Sequence, residues 1–287
     1  MLSFTKNGKC IRFILGFLVS LNILIWIVVY NLSQPSHLKI FFFDVGQGDS
    51  IFIETPKRCQ VLIDGGPDLT VLEKLSKEMP FYDKTIDLVI LSHPEKDHLF
   101  GLLEVLKRYK VKNILWTGVI NDTAEYREWE KLIEKEKDLS NAQIKIARSG
   151  QRIILEKDPL ILIDILYPFD NLEGKKFKEV NDTSIVANLV FKDHSILFTG
   201  DISEKIEKKL IQESKLEKED ILKVAHHGSK TSTSEDFLEK IFPSIAVIQV
   251  GENKYGHPHP EVLARLKKFG IEILITKELG DIKFFFN

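Results

Sequence analysis

One pattern occurs twice in this chain: a strand ending in a carboxylate, a helix, then a strand ending in an imidazole. In the first half, Val61-Leu62-Ile63 runs into Asp64-Gly65-Gly66, a helical stretch follows, and the apolar run 87–91 ends at Ser92-His93. In the second half, Ile196-Leu197-Phe198-Thr199 runs into Gly200-Asp201, a helical stretch follows, and 221–225 ends at His226-His227. Ligands of open α/β sheets collect outside the carboxyl ends of the strands. Two such halves packed face to face therefore bring an acid and an imidazole from each to one edge. Further β-rich runs at 38–43, 50–54, 160–166, 185–191, 245–250, 272–275 and 282–286 alternate with helical stretches at 70–77, 100–109, 124–138, 203–212, 235–241 and 260–269. Such alternation predicts a layered α/β protein, with no Pro/Gly/Ser-rich break between 38 and 287.

Ahead of this domain, residues 11–32 form an apolar run with Arg12 as its one charge, at the edge. Twenty-two residues at the helical rise reach about 33 Å, against a hydrocarbon core of ~30 Å. The run is longer than a signal-peptide core and lacks a small-residue cleavage site, which predicts an uncleaved anchor. Lys6, Lys9 and Arg12 precede it, so the positive-inside rule predicts a cytoplasmic N-terminus (1–10), a single transmembrane helix (11–32), a linker (33–37) and an extracytoplasmic domain (38–287). Cys10 and Cys59 then lie on opposite sides of the membrane and cannot pair. The full chain carries a net charge of −2. The domain beyond the run is more acidic still, because every charge it leaves behind is basic. That excludes global electrostatics as a basis for nucleic-acid binding.

The densest chemistry lies in His93-Pro94-Glu95-Lys96-Asp97-His98, a loop between a buried strand and a helix. Imidazole and carboxylate together are the donors of Zn and Mn sites. Taken with Asp201 and His226, the cluster predicts a metal centre. Neighbours on a strand alternate faces, so only one of His226 and His227 can point inward; His226 is the expected ligand. His257 and His259 flank Pro258 ahead of Pro260, and the start of that helix is a candidate anion-binding end.

Seven segments carry a family likeness: Phe43-Asp44-Val45-Gly46-Gln47-Gly48-Asp49-Ser50, Leu62-Ile63-Asp64-Gly65-Gly66, Leu91-Ser92-His93 through His98 followed by Gly101, Asn181-Asp182-Thr183-Ser184, Leu197-Phe198-Thr199-Gly200-Asp201, Ala225-His226-His227-Gly228-Ser229, and Tyr255-Gly256-His257-Pro258-His259-Pro260. In this order they resemble the metallo-β-lactamase superfamily, and more narrowly the hydrolase domain of ComEC-type competence proteins. The resemblance covers residue 38 to the end. It implies a four-layer αββα sandwich, here preceded by one transmembrane helix, with one or two divalent ions, Zn or Mn, at the strand ends. ComEC-type proteins have many membrane spans against the single one expected here. The superfamily's His-x-His-x-Asp-His loop has Glu95 at its second His, and Asn181-Asp182 stands where a further His is usual.

By that resemblance, His93, Asp97, His98, Asp201 and His226 hold metal, with Asp201 as the bridging carboxylate. Glu95, Asp182, Asp64 and His227 are further ligands or partners of ligands. Asp97 orients an activated water. His257 stabilises charge or gives a proton to the leaving group, and Ser229, Lys230 and His259 contact substrate. Arg265, Lys267 and Lys268 add positive charge near the expected mouth. The implied function is a phosphodiesterase or nuclease acting outside the membrane on a phosphoester such as single-stranded DNA, alongside a competence-type channel partner. The alternatives are a surface metallohydrolase acting on a wall, lipid or small-molecule phosphoester, as in phosphorylcholine esterases, and a non-enzymatic binding partner on a degenerate fold.

Overall fold

A computed structural model describes residues 5–33 and 37–287. The first four residues of the expected N-terminal segment and Gln34–Ser36 of the expected linker lie outside the described residues. The chain divides into two units, Met1–His37 with Asn287, and Leu38–Phe286.

The first unit contains one helix, Thr5–Ser33. The expected membrane anchor is overturned here. Among the described residues no helix is long and apolar enough to cross a membrane. Polar groups fall in the middle of the apolar run: Ser20 Oγ and Asn22 Nδ2 donate back to the carbonyls of Gly16 (2.8 Å) and Leu18 (3.1 Å) of their own helix. With the anchor go the single-pass location, the cytoplasmic N-terminus and the outward-facing domain that were deduced from it.

The second unit is built on two seven-stranded sheets. The first runs Ile282–Phe286, Leu38–Phe42, Ile51–Glu54, Gln60–Ile63, Leu88–Ile90, Asn113–Trp116, Gln143–Ile146. The second runs Glu272–Ile275, Ile245–Ile248, Ile221–Lys223, His194–Phe198, Val186–Phe191, Leu160–Tyr167, Arg152–Lys157. Period-two alternation sends successive side chains to opposite faces. Ile40 and Phe42 join Ile161, Ile163, Phe191 and Phe198 between the sheets. Phe41 and Phe43 face outward instead, packing with Val71, Leu75, Leu99, Leu102 and Trp129 of the helices Thr70–Glu78, Lys96–Arg108 and Ala124–Ser140. On the far side, Leu197, Leu222 and Ile248 pack under Ile206, Phe237 and Val262 of the helices Glu204–Gln212, Glu235–Ile241 and Pro260–Lys268. The order is helices, sheet, sheet, helices, and each fully buried Leu, Ile or Phe contributes roughly 1.5–3 kcal/mol.

Both copies of the repeated pattern are parallel neighbours. Gln60–Ile63 pairs with Leu88–Ile90, Ile63 opposite Ile90. His194–Phe198 pairs with Ile221–Lys223, Phe198 opposite Lys223. The residues just past these four strands therefore emerge at their carboxyl ends.

Candidate metal centre

The first half holds its ligands through a backbone contact. The helix Lys96–Arg108 starts right after Glu95, which leaves Asp97 and His98 in its first turn, where a carboxylate complements the helix dipole. This turn packs on Asp64-Gly65-Gly66: Gly65 N donates to His98 O (2.7 Å) and Gly101 N to Gly66 O (3.0 Å). A Cβ on Gly101 would lie 1.9 Å from Gly65 O, so two glycines are required for the approach. Asp64 accepts from Ser92 N (2.8 Å), Ser92 Oγ (2.6 Å) and His98 Nδ1 (2.9 Å). An acceptor at Nδ1 keeps the proton there and turns Nε2 inward. Asp64 thus fixes an imidazole, and with Asp49 and His98 it also forms a second, fully buried group of ligand atoms within reach of one another.

The second half mirrors this with different parts. Asp201 N donates to Ser184 Oγ (3.0 Å). His227 Nδ1 donates to Gln249 O (2.9 Å), so its Nε2 faces inward, 3.2 Å from Asp97 Oδ2 and 3.4 Å from Asp201 Oδ2. His98 Nε2 stands 3.3 Å from Asp201 Oδ2 and 4.0 Å from Asp97 Oδ2. Ligand atoms of Asp97, His98, Asp201 and His227 all lie within 4.8 Å of one another.

Two imidazoles and two carboxylates from both halves fit a divalent cation. His98 Nε2 and the nearby His93 Nε2 are buried without a hydrogen-bond partner, a cost that a ligand on the lone pair removes. The local field is strong. Burial opposes charge on His227, yet Asp201 and Asp49 outweigh it and hold the imidazole up at about 10. Against the same desolvation, Asp201, Asp64 and Asp97 hold His98 well above its usual range. Burial disfavours the Asp201 carboxylate, but His227, His98 and Lys223 keep it well below the usual carboxylate range. Burial, with His98 alongside, pushes His93 down to about 3.

The structure brings His227, and not the expected His226, into the cluster with Asp97, His98 and Asp201. The strand ends at Lys223, and His226 and His227 both take left-handed backbone angles (φ 51° and 53°). Face alternation does not apply to such a turn. His226 instead accepts from Asn181 Nδ2 (3.2 Å). Asp182 likewise lies outside this cluster: its Oδ1 accepts from Ser203 N (3.1 Å) and Oγ (2.5 Å), at the start of the helix Glu204–Gln212. Asp44 serves its own turn, accepting from Gly46 N, whereas Asp49 is buried beside the centre.

A cleft of about 360 Å³ opens over the ligands, lined by Gln47, Glu95, Asp97, Asn181, Asp201, His226, His227, Tyr255 and His257, with Lys178, Glu179 and Val180 along one side. Burial and the neighbouring Asp97 raise Glu95. Burial together with His226 and His227 brings His257 down to about 4, and its Nδ1 has no partner. The other expected substrate contacts are not in this lining. Ser229 is buried and bonded to Thr231 Oγ1 (3.0 Å). Lys230 is exposed beside it. His259 Nδ1 accepts from Glu261 N (3.3 Å), which caps the helix expected to bind anions. Arg265 donates to the carbonyls of Ser232 (3.1 Å) and Thr233 (2.7 Å), and Lys268 pairs with Glu235. The expected basic patch is thus partly consumed in tying the 230–235 segment to its neighbouring helix.

Three participants escaped the sequence reading: Lys223, Gln249 and Ser92. Lys223 had a signal, a lone charge inside the apolar strand Ile-Leu-Lys-Val-Ala. Gln249 acts through its main chain, which leaves no mark in a sequence. Cys59 is a half-buried thiol that burial and Asp87 push up to about 11, consistent with an inert side chain.

Comparison with known proteins adds the following. Residues 43–252 match the family model described as the metallo-β-lactamase superfamily. The chain is 29% identical over 265 residues to ComE operon protein 3 of Bacillus subtilis, covering 86% of this chain and 33% of that protein. It is 28% identical over 272 residues to Recombination protein 2 of Haemophilus influenzae (88% and 29% covered) and 27% identical over 250 residues to Competence protein ComA of Neisseria gonorrhoeae (84% and 31%). The chain thus spans about a third of the length of these relatives. Among solved structures, the metallo hydrolase Igni18 of Ignicoccus hospitalis aligns with a TM-score of 0.54 at 16% identity (87% of this chain, 100% of that one). The diiron β-hydroxylase CmlA of Streptomyces venezuelae aligns at 0.56 and 11% (88% and 55%). These two likenesses concern the fold alone.

Proposed function

We propose that this chain, which belongs to the metallo-β-lactamase superfamily, is a hydrolase domain of the ComEC type and hydrolyses phosphodiesters, DNA first among them. The observation that carries the reading is the convergence of Asp97, His98, Asp201 and His227 beneath an open cleft. A mixed oxygen and nitrogen donor set suits Mn as well as Zn. Bound there, such an ion supplies Lewis acidity to a phosphoryl oxygen and lowers the pKa of water towards about 7.

The chain's own residues divide the remaining work. Asp64 and the Gln249 carbonyl keep the two ligand imidazoles in the tautomer that presents Nε2. Asp97 aims one carboxylate oxygen at the centre from a helix N-terminus and orients the attacking water. Across the cleft, the His257 imidazole, held neutral by burial and by His226 and His227, offers a hydrogen bond to the substrate rather than a proton. Asn181 and His226 shape the opposite wall. The competence name of one relative and the recombination name of another make DNA the first polymer to test, and a channel partner in DNA uptake is part of the same proposal.

A small phosphoester is the second reading. It is favoured by the modest cleft and by Arg265 and Lys268 being engaged within the protein rather than lining a groove for a backbone. The test incubates the purified chain, loaded with Mn or Zn, with single-stranded DNA and with bis-p-nitrophenyl phosphate, with and without a chelator. Chelator-sensitive cleavage of DNA supports the first reading. Cleavage of the small diester with DNA left intact selects the second. Inertness towards both, with metal bound, rules out phosphodiester hydrolysis.

A further inference from the structure

Lys223 is one of the largest fully buried side chains in the protein, 1% exposed. Its stem lies in the strand Ile221–Lys223, and its ammonium group meets only oxygen. Nζ donates to Gly200 O (3.0 Å), stands 3.4 Å from Asp201 Oδ1, and contacts Asp49 Oδ2. Two carboxylates and a carbonyl around one point are a donor set for a hard cation. Here a tethered cation fills it.

Asp201 is thereby divided. Its Oδ2 faces His98 Nε2 and His227 Nε2, while its Oδ1 faces Lys223. A second ion on His93, Glu95 and Asp201 finds no three ligand atoms within mutual reach among the described residues. The other group that does lie within reach, Asp49, Asp64 and His98, is already occupied by the His98 Nδ1 bond to Asp64 and by Lys223 on Asp49. Asp49 and Asp201 are both buried, and a buried carboxylate requires a compensating positive charge. Lys223 provides it without metal. Resting on the metal-centre reading above, we infer that Lys223 stands in for a second cation, so that the centre holds one divalent ion, with Asp201 linking that ion to an ammonium group rather than to another ion.

The test counts ions. The full chain is saturated with Mn, desalted, and assayed for bound metal and by electron paramagnetic resonance. One equivalent with an uncoupled six-line spectrum is expected. In Lys223→Ala, which opens the oxygen cage, a second equivalent is expected to enter, with exchange coupling between the two ions. Two equivalents in the wild type overturn the inference, as does a folded Lys223→Ala chain that still takes one. No bound metal in the wild type instead overturns the reading beneath it. Should Lys223→Ala not fold, anomalous scattering from Mn-soaked wild-type crystals decides. A single peak among Asp97, His98, Asp201 and His227, with Lys223 Nζ still on Asp201, supports it; a second peak beside His93 overturns it.

Discussion

His226 and His227 are adjacent in the chain and do different work. His227 is locked by the Gln249 carbonyl with Nε2 towards Asp97 and Asp201, whereas His226 leans on Asn181 at the cleft wall. His227→Ala, like His98→Ala and Asp201→Ala, should lower turnover by at least about a hundred-fold and release the bound ion, while His226→Ala keeps the ion. Metal retention after desalting, beside the rate, checks the distinction; equal metal loss in both variants would show that the pair was assigned wrongly. A second residue sets a pH dependence far from the site. Burial pushes the Glu219 carboxyl from its ordinary 4.5 up to about 7, against the hydrogen bond from Asn188 Nδ2 (2.9 Å). The unfolded chain gives up this proton first. The contribution to stability is therefore complete below about pH 4.5 and lost as pH rises through about 7. Glu219→Gln, which keeps the acceptor and cannot ionise, should melt with the wild type at pH 4.5 and above it at pH 8; an unchanged difference across that range would refute the shift.

At the scale of elements, the turn 64–66 and the helix Lys96–Arg108 act as one piece because two glycines let their backbones touch. Gly101→Ala would drive a methyl to 1.9 Å from Gly65 O and 2.8 Å from Val71 Cγ1. The strain should cost about 3 kcal/mol, a fall of roughly 6–12 °C in Tm, and the displaced helix should weaken ion binding too. A melting temperature within a degree of the wild type would show that the contact is not tight. The repeated strand–acid–helix–strand–imidazole pattern was legible because it rests on parallel pairing, whose consequences depend only on order: Asp64 and Asp201 lie at the strand ends where that order puts them. The imidazole that joins the first half's cluster is His98, in the helix turn after the strand, and not His93 at the strand's end. The turn at 225–228 was not legible. Left-handed angles at two successive non-glycine residues leave no trace in composition, and they decide which imidazole turns inward. Asp182 and His259 are engaged at helix starts instead, Asp182 reaching from a distant turn to Ser203 and His259 capping its own helix. A polar side chain before a helix serves its N-cap as readily as it serves a ligand, and only geometry separates the two. The apolar run 11–32 misled in the opposite way, because length and a low charge count were given more weight than the polar groups within it.

At the scale of the whole molecule, the core and every ligand belong to the unit Leu38–Phe286. A chain beginning at His37 should therefore fold, bind metal and turn over phosphodiesters within about two-fold of the full chain. A folded but metal-free product would show that the N-terminal helix contributes to the centre. Asp97 and His227 lie 130 positions apart in sequence and 3.2 Å apart in space. A polypeptide emerging from the ribosome has no complete cage until residue 227 has cleared the exit tunnel and the second sheet has closed on the first. Capture of the ion is thus a late event in biosynthesis, and its retention marks a finished molecule.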